Sequence, residues 1–374
     1  MKKLIVLFIV FIFPAYAFAQ RQVDKKPVVH TVTIEFNGET IKGFYCFIDA
    51  RSNEEKSSNV QNKALHESVI LFLQGHAQRA DDAYKFTSQM ALTSKLGVVV
   101  VVVCDTPYGK DSQYRGDAGK EIVVMAIAQH ALTLHGINVI DAEQLSGLVT
   151  INGKTVSPSQ GGIPATITVV GWSHGALLAR RVANRYSCVK NLVQICPAGF
   201  NDWPDNSCAA NCCVLSAFSW ESLRISTEMF KGHANDVFSA SWGITKGIAG
   251  DSYRSCGSCL HGNVTVCKPL RAVKDITDVT IKANADNFPV ATLSSIVVIF
   301  GSNDSLFNPQ KLLNYRESLN PEDVERFWLK YYPEAVNNNA RMNLFVLPGK
   351  HLAPVLYYKE YAFYTLKYTN ELKE

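Results

Sequence analysis

Six consecutive valines, Val98 to Val103, followed by Cys104, restrict what this chain can fold into. Side chains branched at Cβ favour extended backbone, and a run that is apolar at every position must be covered on both faces of a sheet. Seven residues are too few to cross a bilayer. The run therefore reads as a central parallel strand, and it has companions. "SVILFLQG" (68–75), "ATITVV" (165–170), "KNLVQIC" (190–196), "SSIVVIFG" (294–301) and "MNLFVLPG" (342–349) have the same continuous apolar character. Helical patterns separate them: one over 80–95 with Gly97 as its stop, one over 117–135, and one from His174 in which Leu177, Leu178 and Val182 share a face. Strand and helix in alternation predict an α/β fold, a mostly parallel central sheet with helices on both faces.

An antiparallel hairpin precedes this core, "VVHTVTIEF" and "TIKGFYCFI" about a turn at Asn37-Gly38. "INGKTVSPSQGG" (151–162) reads as loop, and a tyrosine-rich helix after His351 closes the chain. Between 199 and 291 the alternation stops. That stretch reads as an insertion, helical in part, with Val214, Leu215, Phe218, Trp220, Leu223, Met229 and Phe230 as material for a lid or a small core.

The first residues, "MKKLIVLFIVFIFPAYAFAQ", combine two lysines, a short apolar run and a small-residue exit, which predicts a secretory signal over 1–19. The expected organisation is a core over 20–198, a cysteine-rich cap over 199–291 and a second core portion over 292–374. The expected location is exported, periplasmic or secreted, with no membrane span once the signal is cleaved. Loss of Lys2 and Lys3 lowers the formal net charge from +4 to +2. That balance, with no dense basic run, argues against a nucleic-acid partner. Of the ten cysteines, Cys208, Cys212, Cys213, Cys256, Cys259 and Cys267 cluster in the insertion. In an exported chain such a cluster reads as disulfides rather than as a zinc site. Cys104 and Cys196 each close an apolar strand, where a buried thiol and a bridge are equal readings.

The chemistry is expected at strand ends. In "GWSHG" (171–175) two glycines permit a sharp strand-to-helix turn that lifts Ser173 above the sheet, with a helix N-terminus behind it. A serine hydroxyl needs a base, and the base needs an orienting acid. His351 in "PGKHLAPV" and Asp304 in "GSNDSL" each follow an apolar strand and fit those roles. The backbone N–H of His174 and that of His76 or Ala77, in "QGHAQ", are the expected oxyanion donors. Trp172 reads equally as pocket lining and as core packing. The other histidines read as structural or surface residues.

In kind and in order, these pieces resemble the α/β-hydrolase family, and "GWSHG" is similar to the "GHSHG" of some secreted bacterial lipases. The resemblance covers 28–198 and 292–370 and puts the insertion where that family often carries a lid. It implies an exported serine hydrolase cleaving carboxylic esters, lipase-like, through Ser173, His351 and Asp304, with a small-molecule ester or lipid as substrate and no cofactor or metal. A serine peptidase or amidase on the same fold, and a non-catalytic binding protein on this scaffold, are the alternatives.

Overall fold

The computed structural model describes residues 21–23, 26–57, 68–75, 80–103, 119–139, 149–156, 163–200 and 293–373, together with Glu221, Arg224 and Val237. The expected signal segment, His76, Ala77 and nearly all of the cysteine-rich insertion lie outside these residues.

The chain opens on β1 (His30–Phe36) and β2 (Glu39–Asp49), paired antiparallel about Asn37 and Gly38. Both turn residues have positive φ, 50° and 77°, as a two-residue hairpin with this twist requires. A short helix α1 (Asn53–Ser57) leads toward β3 (Ser68–Leu73), which is followed by α2 (Tyr84–Thr93) and β4 (Val98–Val103). Every residue of β3 and β4 is buried, because helices cover both faces. Next come α3 (Lys120–Leu134), β5 (Ile137–Val139), β6 (Thr150–Ile151) and β7 (Lys154–Thr155). Where a loop was expected, β6 and β7 form a small hairpin. Asn152 and Gly153 turn it with φ of 51° and 73°, and the Asn152 side chain accepts the Thr33 N–H at 2.9 Å.

The central crossover is β8 (Ile163–Trp172), α4 (His174–Arg185) and β9 (Val189–Ile195). After the insertion come β10 (Ser295–Gly301), α5 (Pro309–Leu312), α6 (Pro321–Tyr331), α7 (Pro333–Asn337), β11 (Arg341–Leu347), α8 (Ala353–Leu356) and α9 (Tyr358–Thr369). Asn320 caps α6 by accepting the Glu322 N–H, with Pro321 at the first helical position.

The strands form one sheet in the order β11-β10-β9-β8-β3-β4-β2-β1-β6-β7, with β5 paired to β8. Pairing is parallel from β11 to β4 and antiparallel from β4 onward. Two apolar cores lie on its two sides, one built on α3 and α4 and the other on α2, α8 and α9. Val237, from the insertion, is buried in the second. Because β3, β8, β9, β10 and β11 run in one direction, the ends that carry Gln74, Ser173, Cys196, Asp304 and His351 open on the same edge of the sheet.

At the opposite edge a polar layer fastens the C-terminus. Asn191 Nδ2 donates to Thr168 Oγ1 at 2.8 Å and to Glu371 Oε1 at 3.3 Å, and Ser295 Oγ donates to Asn191 Oδ1 at 2.7 Å. Burial pushes the Glu371 carboxyl up to about 7 from 4.5, against the opposing pull of Ser68, Lys95 and Thr168. The folded state holds this proton where the unfolded chain has lost it. The group's contribution to stability is therefore full below about pH 4.5 and is lost as pH rises through about 7. Thermal unfolding should show Glu371→Gln gaining stability over the parent at pH about 8, on the order of 3 kcal/mol, and no such gain near pH 4.

Candidate active site

The turn between β8 and α4 is where packing constrains the backbone most. Ser173 has φ 57° and ψ −122°, a conformation that a residue with a Cβ holds only when its surroundings enforce it. Its N–H donates to the Ile195 carbonyl at 2.9 Å, and its own carbonyl accepts from the N–H groups of Ala176 and Ala198 at 3.0 and 3.1 Å. A Cβ at Gly171 would lie 2.2 Å from the Gly175 carbonyl oxygen, and one at Gly175 would lie 2.2 Å from the carbonyl oxygen of Leu73. The two glycines thus let α4 start directly against the end of β3. Gln194 supports the first turn of α4: its amide donates to the Ala176 carbonyl at 2.9 Å, while its side-chain oxygen accepts the Tyr332 hydroxyl.

Two further loops meet this turn. After β10, Asp304 is fixed by its own surroundings: Oδ1 accepts the N–H groups of Leu306 and Phe307 at 2.9 and 3.1 Å, in the manner of an Asx turn. After β11, Gly349 with φ 127° turns the chain toward His351. The loops are joined where the Asn303 N–H donates to the Gly349 carbonyl at 2.8 Å. Trp172, fully buried, donates its indole N–H to the His351 carbonyl at 3.1 Å. It packs in the second apolar core, the second of the two readings made from sequence, and in addition holds the histidine loop.

The structure brings Ser173, His351 and Asp304 together. His351 Nδ1–H donates to Asp304 Oδ2 at 2.9 Å, which leaves Nε2 to accept the Ser173 hydroxyl at 2.9 Å. Burial works to depress the imidazolium, but the charge and hydrogen bond of Asp304 and the charge of Glu221 outweigh it and hold the His351 pKa above 6.5. Ser173 is half-buried. His174 begins α4 and is buried. His76 and Ala77 lie outside the described residues. Among the other histidines, His30 stacks on Tyr45, His130 packs edge-on to Tyr45 and His135 stacks on Phe47, far along the sheet.

One expectation is corrected here. Read from sequence, the site was a closed Ser–His–Asp trio of a lipase-like carboxylesterase, with Cys196 outside it. Cys196 joins Asp304 and His351 in a cluster of buried side chains, each offering an atom within 4.8 Å of the others. Cys196 enters because it follows β9 directly, with φ 43°, and its N–H is held by the Ile299 carbonyl at 2.7 Å. Its thiol donates to Asp304, and burial first, then the Asp304 charge, pushes its pKa well up. The trio alone is therefore not a sufficient account of the site, and nothing among the described residues selects carboxylic esters. The expectation of a lipase-like carboxylesterase does not hold for this site. Cys46, Cys188 and Cys196 are buried thiols outside any disulfide, which for Cys196 is one of the two readings made from sequence. The six clustered cysteines lie outside the described residues.

Sequence reasoning missed Glu221. It sits in the insertion, is 1% exposed, and accepts the backbone N–H of His351 at 2.7 Å. Its neighbours in sequence, "FSWESLR", read only as apolar lid material, and no local signal marks the carboxylate.

No protein-family model matches the chain, and no curated protein matches it. Solved structures do. A thermophilic esterase from Thermogutta terrifontis superposes with a TM-score of 0.51 at 12% identity, over 92% of this chain and 98% of that one. A thioesterase domain from the curacin biosynthetic pathway covers 91% of this chain and 99% of its own, with a TM-score of 0.44 at 14% identity. The Pyrococcus furiosus esterase Pf2001 covers 93% and 92%, with a TM-score of 0.41 at 13% identity. At 12% identity the likeness to the Thermogutta terrifontis esterase is one of fold. The mixed, mostly parallel sheet flanked by helices is consistent with the α/β-hydrolase fold.

The close approach at Gly175 yields a test. Gly175→Ala should cost about 3 kcal/mol or more, because the added Cβ meets the backbone carbonyls of Leu73 and Gln74, which have no room to retreat. Denaturant unfolding measures the cost, and stability equal to the parent would refute the packing argument.

Proposed function

We propose that the chain is a hydrolase that transfers an acyl group to water, with Ser173, His351 and Asp304 carrying the chemistry. The observation that supports this most directly is the pair of 2.9 Å contacts from the two nitrogens of one imidazole to Asp304 and Ser173. In this reading His351 Nε2 takes the Ser173 proton as Oγ attacks the acyl carbon, and then returns it to the leaving group. Water, deprotonated by the same nitrogen, releases the acyl group and restores the serine. Asp304 holds the tautomer that leaves Nε2 bare. The His174 N–H, at the start of α4, is the proposed donor to the oxyanion, with His76 or Ala77 as its proposed partner. The substrate is proposed to be a small acyl compound. Its leaving group is assigned by comparing an ester and an amide of one acyl group, and faster turnover of the amide identifies the amidase or peptidase alternative.

A second reading comes from the cluster itself: Cys196 as a thiol nucleophile paired with His351 and Asp304. Its burial and raised pKa weigh against it, since the thiolate is the attacking form. Substitution separates the two. A fluorophosphonate should attach to Ser173, and Ser173→Ala should lower turnover by about 1,000-fold or more. Cys196→Ala should keep labelling within about fivefold of the parent. Labelling that survives Ser173→Ala and vanishes with Cys196→Ala assigns the attack to the thiol. Because the base is the neutral imidazole and its pKa is raised, the acid limb of kcat/KM should have its midpoint above pH 6.5. A midpoint below that value would remove His351 from the role.

Export belongs to the same proposal. Its support is the leader, Lys2-Lys3, the apolar run from Leu4 to Phe13 and Ala17-Phe18-Ala19. Expressed in a host with a secretory route, the protein should be recovered outside the cytoplasm with Gln20 as its first residue. N-terminal sequencing that finds Met1 retained would refute this.

A further inference from the structure

Glu221 has a place in the molecule that packing alone does not explain. Its carboxylate is buried, and each of its two oxygens takes a donor from a different loop of the site. Oε1 accepts the backbone N–H of His351 at 2.7 Å, and Oε2 accepts the backbone N–H of Ser305 at 3.1 Å as well as the Ser305 hydroxyl. Ser305 follows Asp304 directly. One side chain therefore grips the residue that bears the base and the neighbour of the residue that bears the acid. A second contact runs in parallel: the Lys350 ammonium donates to the carbonyl of Arg224, three residues beyond Glu221.

A buried carboxylate stays folded only where donors match its lone pairs, and truncating it leaves those donors without an acceptor. Here the donors are main-chain groups of the β10 and β11 loops, so their loss is felt where 2.9 Å contacts must hold.

We propose that Glu221 is a positioning residue for the reaction: it clamps the loops after β10 and β11 so that His351 stays aligned between Ser173 and Asp304. The insertion between β9 and β10 thereby becomes part of the catalytic apparatus, since it supplies the clamp. This rests on the reading of Ser173, His351 and Asp304 as the acyl-transfer groups.

The charge of Glu221 gives the clamp a readout that a merely structural contact lacks. Among the described residues, the groups that face His351 are Asp304 from the β10 loop, Cys196 from the end of β9, Ser173 from the turn before α4, and Glu221 itself. Lys350 precedes it on its own loop. Tyr361, on α9, couples to Asp304 and Cys196. Asp304 and Glu221 act together to favour the imidazolium. Removing the Glu221 charge lowers the His351 pKa and moves the acid limb to lower pH.

The test measures the rate of fluorophosphonate labelling at Ser173 against pH in the full chain, for the parent, Glu221→Gln and Glu221→Asp. Turnover of a p-nitrophenyl acyl ester and circular dichroism accompany it. Glu221→Gln should fold, label about tenfold more slowly or worse, change kcat more than KM, and have its acid limb at lower pH. Glu221→Asp keeps the charge but shortens the reach, and should slow labelling while leaving the limb in place. A Glu221→Gln protein with the parent's rate and limb overturns the proposal. So does a loss that only follows the folded fraction with the limb unmoved. If Glu221→Gln does not fold, Ser305→Ala removes one of the three donors and carries the test: slowing of about threefold or more supports the clamp, and an unchanged rate overturns it. Failure of the parent itself to label at Ser173 defeats the underlying functional reading, an outcome distinct from all of these.

Discussion

The site depends first on the approach of α4 to the end of β3. The Cα of Gly175 sits where even a methyl group would overlap the Leu73 carbonyl oxygen, and the helix can begin that close only because Gly171 also lacks a side chain. The strained Ser173 backbone is a consequence. Held at its N–H by Ile195 and at its carbonyl by Ala176 and Ala198, it has no relaxed conformation available without breaking ladder bonds on both sides. The strain aims Oγ at the edge where the parallel strands end, and β9, β10 and β11 deliver the remaining groups to that edge. Parallel pairing matters here because it puts successive strand ends, each followed by a loop free to carry function, on one side of the sheet.

Much of this was legible from period and punctuation. Largely apolar runs marked β3, β4, β8, β9, β10 and β11; β3, β4 and β10 are buried at every position, while β11, at the edge of the sheet, buries only Leu344 and Leu347 fully. The hairpin turn at Asn37-Gly38 was readable because few dipeptides tolerate two positive φ values. The same signal at Asn152-Gly153 was passed over, because the flanking strands are only two residues long and bear polar side chains. The α6 and α7 helices were missed although Asn320-Pro321 is a clear helix start. Their apolar face is narrow, with Phe327 and Trp328 its buried aromatics.

Residues at strand ends were also legible, because a histidine or aspartate just past an apolar run is placed by the strand before it. Glu221 and Cys196 were not, for different physical reasons. Cys196 looked like the last apolar residue of β9, and only its positive φ turns the thiol to Asp304. Glu221 owes its position to an insertion whose path carries no periodic signal, and its partners are main-chain N–H groups, which every residue possesses and no sequence advertises.

The acid therefore differs from a simple relay partner. Asp304 receives two backbone N–H groups, the imidazole N–H and the Cys196 thiol, so its carboxylate is matched on each side by a donor fixed to a different segment. Its orientation follows from the two backbone N–H groups and the thiol as well as from His351. The histidine is held likewise, by Asp304 at the ring, by Trp172 at the carbonyl and by Glu221 at the N–H. A base restrained at both main-chain polar groups and one ring nitrogen has Nε2 as its remaining polar atom. That atom faces the serine, so geometry at the reacting pair is set by contacts that lie outside it.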